Sequence, residues 1–73
     1  MNAAQHSITV GRWRYSHRFS LVEHHCGIVV DLSTVTERVH LLERIERVAN
    51  NGRFKAEELG QFVRLLFEIY RAP

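Results

Sequence analysis

The chain has 73 residues, 45% of them hydrophobic and 25% charged, with a formal net charge of +2. This composition excludes wholesale disorder, and the length leaves room for one modest core and no second domain. The single Cys26 excludes an internal disulfide and fits a reducing compartment, so the core or a partner must supply what cross-links give many small domains.

Residues 1–6 (Met1-Asn2-Ala3-Ala4-Gln5-His6) read as a flexible terminus, with no basic region followed by an apolar run of the kind a signal peptide needs. Ser7-Ile8-Thr9-Val10 alternates and is β-prone. The parity then breaks: Ile8 and Val10 fall in phase with Arg12 and Arg14, whereas Trp13 and Tyr15 fall out of phase. Gly11 is the natural place for a bulge or bend that resets the facing. Phe19–Val22 and Gly27–Val30 are two more β-prone runs, separated by Glu23-His24-His25-Cys26, and residues 7–31 are expected to form a meander of two or three short antiparallel strands. The longest apolar run, Gly27–Val30, falls far short of the ~20 residues that cross a bilayer, so a soluble, cytoplasmic chain is expected.

The second half reads as an αα-hairpin. A helix is predicted over 33–50, opened by a capping box between Thr34 and Glu37, with Val35, Val39, Leu42, Ile45 and Val48 as its apolar stripe, widened by Leu41 and Ala49. Glu37, Arg38, Glu43, Arg44, Glu46 and Arg47 are expected on its solvated face, with Glu43 and Arg47 in the favourable i,i+4 order. Asn50-Asn51-Gly52 should end it. A second helix is predicted over 55–70, with Glu57 and Glu58 in its first turn and Leu59, Phe62, Val63, Leu66 and Tyr70 facing the core. Leu65, Phe67 and Ile69 do not fit that stripe, so the helix is either sandwiched between two layers or offers apolar surface to a partner. The fold class is therefore α+β, with short strands packed on the helix pair in one domain, 1–73.

Chemistry concentrates in Arg12-Trp13-Arg14-Tyr15-Ser16-His17-Arg18-Phe19. Residues 1–22 carry Arg12, Arg14 and Arg18 and no acid, a charge of +3, whereas 23–73 carry seven Lys/Arg against eight Asp/Glu, a charge of −1. The asymmetry points to an acidic partner for the N-terminal third, and the small total argues against strong non-specific binding to duplex nucleic acid. Arg12, Trp13, Arg14, Tyr15 and Arg18 form the candidate partner-binding set: guanidinium groups that pair acids or phosphates, aromatics that add desolvated contact area or stack on bases. Alternatively, Trp13 and Phe19 anchor the sheet to the helices.

Other constellations are weaker. Glu23-His24-His25-Cys26 holds metal-binding residue types without the spaced pairs of a structural zinc site; a polar turn with a small buried cysteine is the plainer reading. Cys26 beside two histidines is a thin basis for nucleophilic catalysis, and neither a metal nor another cofactor nor an enzyme activity is expected. The second helix lacks the base-reading residues of a helix-turn-helix module.

In size, in its basic N-terminal third and in lacking a catalytic motif, the chain resembles the small RNA polymerase-binding proteins of lytic bacteriophages, which inhibit host promoter initiation and suppress intrinsic termination. That resemblance implies binding to the large polymerase subunits near the RNA exit channel, displacement of the promoter-specificity factor, cooperation with an elongation factor, and proximity to nascent RNA in the bacterial cytoplasm. The protein is expected to act as a monomer. The alternatives are a single-stranded RNA- or DNA-binding module, or an inhibitor of another host protein.

Overall fold

The computed structural model describes residues 7–71; the flexible terminus expected over 1–6 lies outside them. Four strands come first: β1 (Ser7–Val10), β2 (Trp13–Ser16), β3 (Leu21–His24) and β4 (Val29–Asp31). Two helices follow, α1 (Arg38–Asn50) and α2 (Ala56–Ile69). All strand pairs are antiparallel and the sheet order β1-β2-β3-β4 is the chain order. The fold is thus α+β, with four strands rather than the expected two or three. The extra strand comes from the parity break, because Gly11 does not bend one strand but reverses the chain between two.

Val10 pairs with Trp13, so Gly11 and Arg12 alone make the β1–β2 turn. Gly11 has φ +61°, the left-handed value that a tight hairpin needs at its first central residue. A Cβ there would also meet the side-chain amide of Gln61 on α2, a flexible end that can shift, so it is the backbone conformation that calls for glycine. Reversal places Ile8 opposite Tyr15 and Val10 opposite Trp13, which puts all four on one face. Val22, His24 and Val30 continue that face and are buried.

α2 lies across it. Phe62 and Leu65 are fully enclosed and Leu66 nearly so, with Ile69 packed beside them. The spacing i, i+3, i+4, i+7 is a regular helical stripe, but it is rotated from the expected one. Leu65 joins the core, while Tyr70 is half exposed and Phe67 is 71% exposed. The sheet covers only one side of α2, and α1 packs on its flank, so residues on the far side remain in solvent.

α1 starts at Arg38, not near residue 33. Leu32 is buried, its N–H bonded to Ser20 O at 2.8 Å, and Val35 N–H closes a turn onto Leu32 O at 3.1 Å. Those bonds commit 32–35 to the end of the sheet. The expected capping box is therefore absent: Glu37 is the N-cap, and Thr34 Oγ1 accepts from Arg44 Nη2 at 2.8 Å instead. The helix buries Val48 and half-buries Leu41 and Ile45, leaving Val39 and Leu42 exposed. Arg44 moves the other way. Its side chain is only 13% exposed, donating Nε–H to Asp31 O at 3.0 Å and pairing with Glu43. Glu43 also holds Arg47, whose Nη2 lies 2.6 Å from Oε2, as the i,i+4 spacing predicts. Gly52, at φ +77°, follows the helix end as expected.

Candidate functional site

The alternation of β2 sorts the candidate residues by face. Trp13 is fully buried and Tyr15 is 8% exposed, whereas Arg14 between them points to solvent. Trp13 sits among His24, Phe54 and Phe62, with ring centroids 4.6–4.9 Å away in edge or tilted arrangements. Its indole N–H donates to Glu58 O at 2.9 Å, tying the hairpin to the first turn of α2. Tyr15 packs in the same core and its hydroxyl lies 3.2 Å from His17 Nδ1. Both aromatics are therefore scaffold. Their assignment as contact surface is corrected: the strand that exposes Arg14 necessarily turns its neighbours inward.

The three arginines occupy three settings. Arg12 is in the β1–β2 turn, its side chain 70% exposed and 3.9 Å from Glu58 Oε2. Arg14, 64% exposed, donates from Nη2 to Glu23 Oε1 at 3.3 Å across the outer face. Arg18 lies in the β2–β3 turn, at the other end of β2, with its guanidinium 5.5 Å from the ring centroid of the exposed Phe19. Ion pairs this exposed contribute ~0–1 kcal/mol, so the arginines are lightly held and retain capacity for an external acid. Arg12 and Arg18 are separated by the length of β2, on the order of 15 Å, and do not form one patch.

Arg12 is instead joined by residues the linear reading passed over. The loop between the helices returns to this end of the sheet, where Arg53 and Lys55 line a shared open depression with Arg12, Glu57, Glu58 and Gln61. A neighbouring hollow brings Arg14 and His25 to the same end. Arg53 and Lys55 lie far from Arg12 in sequence, and no local motif marks them; the signal is topological, because the packing of α2 on β1 and β2 brings the loop before it to the β1–β2 turn.

The second surprise is beneath this surface. His24 is 6% exposed, in the sheet's inner face. Its Nδ1 accepts the Cys26 backbone N–H at 3.0 Å, an arrangement that leaves the proton of a neutral ring on Nε2. Nε2 faces Glu58 Oε2 at 3.4 Å, but without the alignment of a hydrogen bond, and is otherwise buried without a partner. Glu58 thus stands between a buried imidazole and the exposed guanidinium of Arg12. Cys26 is exposed in the turn, contrary to the expected small buried cysteine. Among the described residues, no group of three or more His, Cys, Asp or Glu converges on a metal-sized site, and no helix is long and apolar enough to cross a membrane.

No protein-family model matches the sequence, and comparison with curated proteins and with solved structures gives no match.

Proposed function

We propose that this chain is a small, non-catalytic regulator that docks on bacterial RNA polymerase, as the lytic-phage proteins it resembles do, and inhibits promoter initiation while suppressing intrinsic termination. The observation that carries the reading is the pairing of exposed and buried residues along β2. Arg12 and Arg14 project from a hairpin whose inner side is pinned by Trp13 to α2, so the guanidinium groups are presented on a rigid edge. Rigid presentation lowers the ordering cost of binding, and mixed charge around it favours selective pairing with acids over general attraction to phosphate. The end carries Arg12, Arg14, Arg53 and Lys55 against Glu23, Glu57 and Glu58, a small cationic excess.

The mechanism is steric and electrostatic: the arginines pair acidic side chains of the large subunits, and the domain's bulk blocks the promoter-specificity factor from the same surface. Nascent RNA and an elongation factor are secondary partners in this scheme, and the site of action is the host cytoplasm. A stand-alone single-strand binder is the weaker reading, because Trp13 and Tyr15 are enclosed and, of the aromatics in the 12–19 stretch, Phe19 alone is exposed.

A pull-down from bacterial lysate with mass-spectrometric identification should recover the polymerase large subunits, and their absence removes the proposal. With purified polymerase, Arg12/Arg14/Arg18→Ala should bind about tenfold more weakly, with a shallower salt dependence. A triple variant that folds and binds normally refutes the arginine assignment.

A further inference from the structure

A different part of the molecule carries a second binding surface. β4 is an edge strand, and its register shows which backbone groups are spent. His24 N–H donates to Ile28 O at 2.8 Å and Leu32 N–H to Ser20 O at 2.8 Å. Residues 28, 30 and 32 therefore direct their backbone groups toward β3, and by the two-residue period Val29 and Asp31 direct theirs to the open side. Arg44 closes half of that side, since its Nε–H occupies Asp31 O at 3.0 Å. Val29 N–H, Val29 C=O and Asp31 N–H remain, and Val29 itself is 50% exposed.

Directly beside this open half is a cleft of about 260 Å³ between β4 and the C-terminal end of α1. Ile28, Val30, Val48 and Phe54 give it an apolar lining, and Arg47 and Asn51 stand on the helix side. Arg47 is 68% exposed there; its Nε–H and Nη2–H donate to Glu43 Oε2 at 3.0 and 2.6 Å, which leaves Nη1 for a ligand carboxylate. An edge strand alongside a helix is the geometry in which an extended peptide adds one strand and inserts alternate side chains into the groove.

We propose that β4 and α1 form a strand-addition site for an extended peptide segment of a partner protein. Its chemistry follows from the register. The ligand residue opposite Val29 exchanges both backbone hydrogen bonds with it and points to the outer face. The residues on either side of that one point into the cleft. One is aliphatic, covering Val30, Val48 and Phe54; another inward position carries a carboxylate for Arg47. The ligand is a backbone-bonded segment with an acid two positions from an aliphatic residue. This site is independent of the arginine-bearing hairpin and of the identity proposed for its partner.

The test uses fluorescein-labelled, end-blocked pentapeptides Glu-x-Φ-x-Glu, with Φ drawn from Val, Ile and Leu and x from Ser and Thr, titrated by fluorescence anisotropy. The paired glutamates cover an acid on either side of the aliphatic residue. Saturable binding is expected, with amide-exchange protection appearing at Val29 and Asp31. Val29→Pro deletes one outward N–H and should weaken binding about tenfold, whereas Thr9→Pro on the opposite edge should leave it unchanged. Arg47→Ala should abolish the preference for glutamate over glutamine. No binding by any member of the set overturns the proposal, as does binding that Val29→Pro leaves intact. A free protein already dimeric, and made monomeric by Val29→Pro, assigns the edge to a second copy and also overturns it. Should Val29→Pro not fold, failure of the peptides to protect the Val29 amide in the parent chain decides the matter.

Discussion

The two helices are attached to the domain in different ways. α2 is held by burial: Phe62, Leu65 and Leu66 pack on the inner face of the sheet, and the Trp13 indole bonds to its first turn. α1 buries Val48, only half-buries Leu41 and Ile45, and adds a polar clasp, in which the Arg44 side chain reaches Asp31, Thr34 and Glu43 together. The difference teaches that one helix is part of the core and the other is fastened to it. Core attachment is non-directional and fails all at once, whereas a clasp depends on a few geometries and can open without unfolding the sheet.

Substitutions should separate the two modes. The largest effect belongs to the core: Trp13→Ala or Phe62→Ala should each cost ~3–5 kcal/mol, measured by chemical denaturation, enough to unfold a domain this small. A Phe62→Ala protein of near-parent stability would show that α2 is not the core helix. Arg44→Ala comes next, at ~0.5–1.5 kcal/mol, because it removes hydrogen bonds to Asp31 and Thr34 whose acceptors are exposed and rehydrate. Amide exchange should then rise in α1 more than in β2 or β3, and uniform loss of protection would break the distinction.

Acid should act on the same clasp. Ser33 N–H, donating to the Asp31 carboxylate, holds its pKa below the ordinary value, and Arg44 does the same for Glu43. A depressed carboxylate stabilises the fold above its unfolded pKa and loses that contribution as pH falls through the folded value. On acidification through and below the ordinary carboxylate range, α1 amides should therefore lose protection before those of β2 and α2. Both groups lie at the surface, so the shift in global stability should be small. The smallest effect is expected at Leu42→Ala, which removes an exposed side chain and should stay within ~0.5 kcal/mol.

Much of this architecture was legible in the residues. The apolar periodicity located both helices, and the alternation Ile8/Val10 against Trp13/Tyr15 marked Gly11 as the point where facing changes. What periodicity could not supply was the rotation of each helix. Val39 and Leu42 fit an apolar stripe as well as Leu41 and Ile45 do, and only the position of α2 decides between them. Arg44 was indistinguishable from Arg38 or Arg47, since its burial depends on Asp31 and Thr34 being folded under it. The site followed the same rule: the exposed arginines were visible in the sequence, but the inward direction of Trp13 and Tyr15 required the hairpin. The convergence of Arg53 and Lys55 on Arg12 required the whole topology.

The chain-order pairing of the four strands also bears on how the molecule is made. Each strand pairs with the one just synthesised, so the sheet can assemble on a growing chain without waiting for distant sequence. Its apolar face, however, is covered by Phe62, Leu65 and Leu66, which emerge only after all four strands and α1. Until they do, Trp13, Tyr15 and Val22 face water or whatever else is near. A nascent chain stopped before Phe62 would be a sheet without a lid, a target for chaperones and proteases. Completion of α2 is the step that turns this meander into a protein.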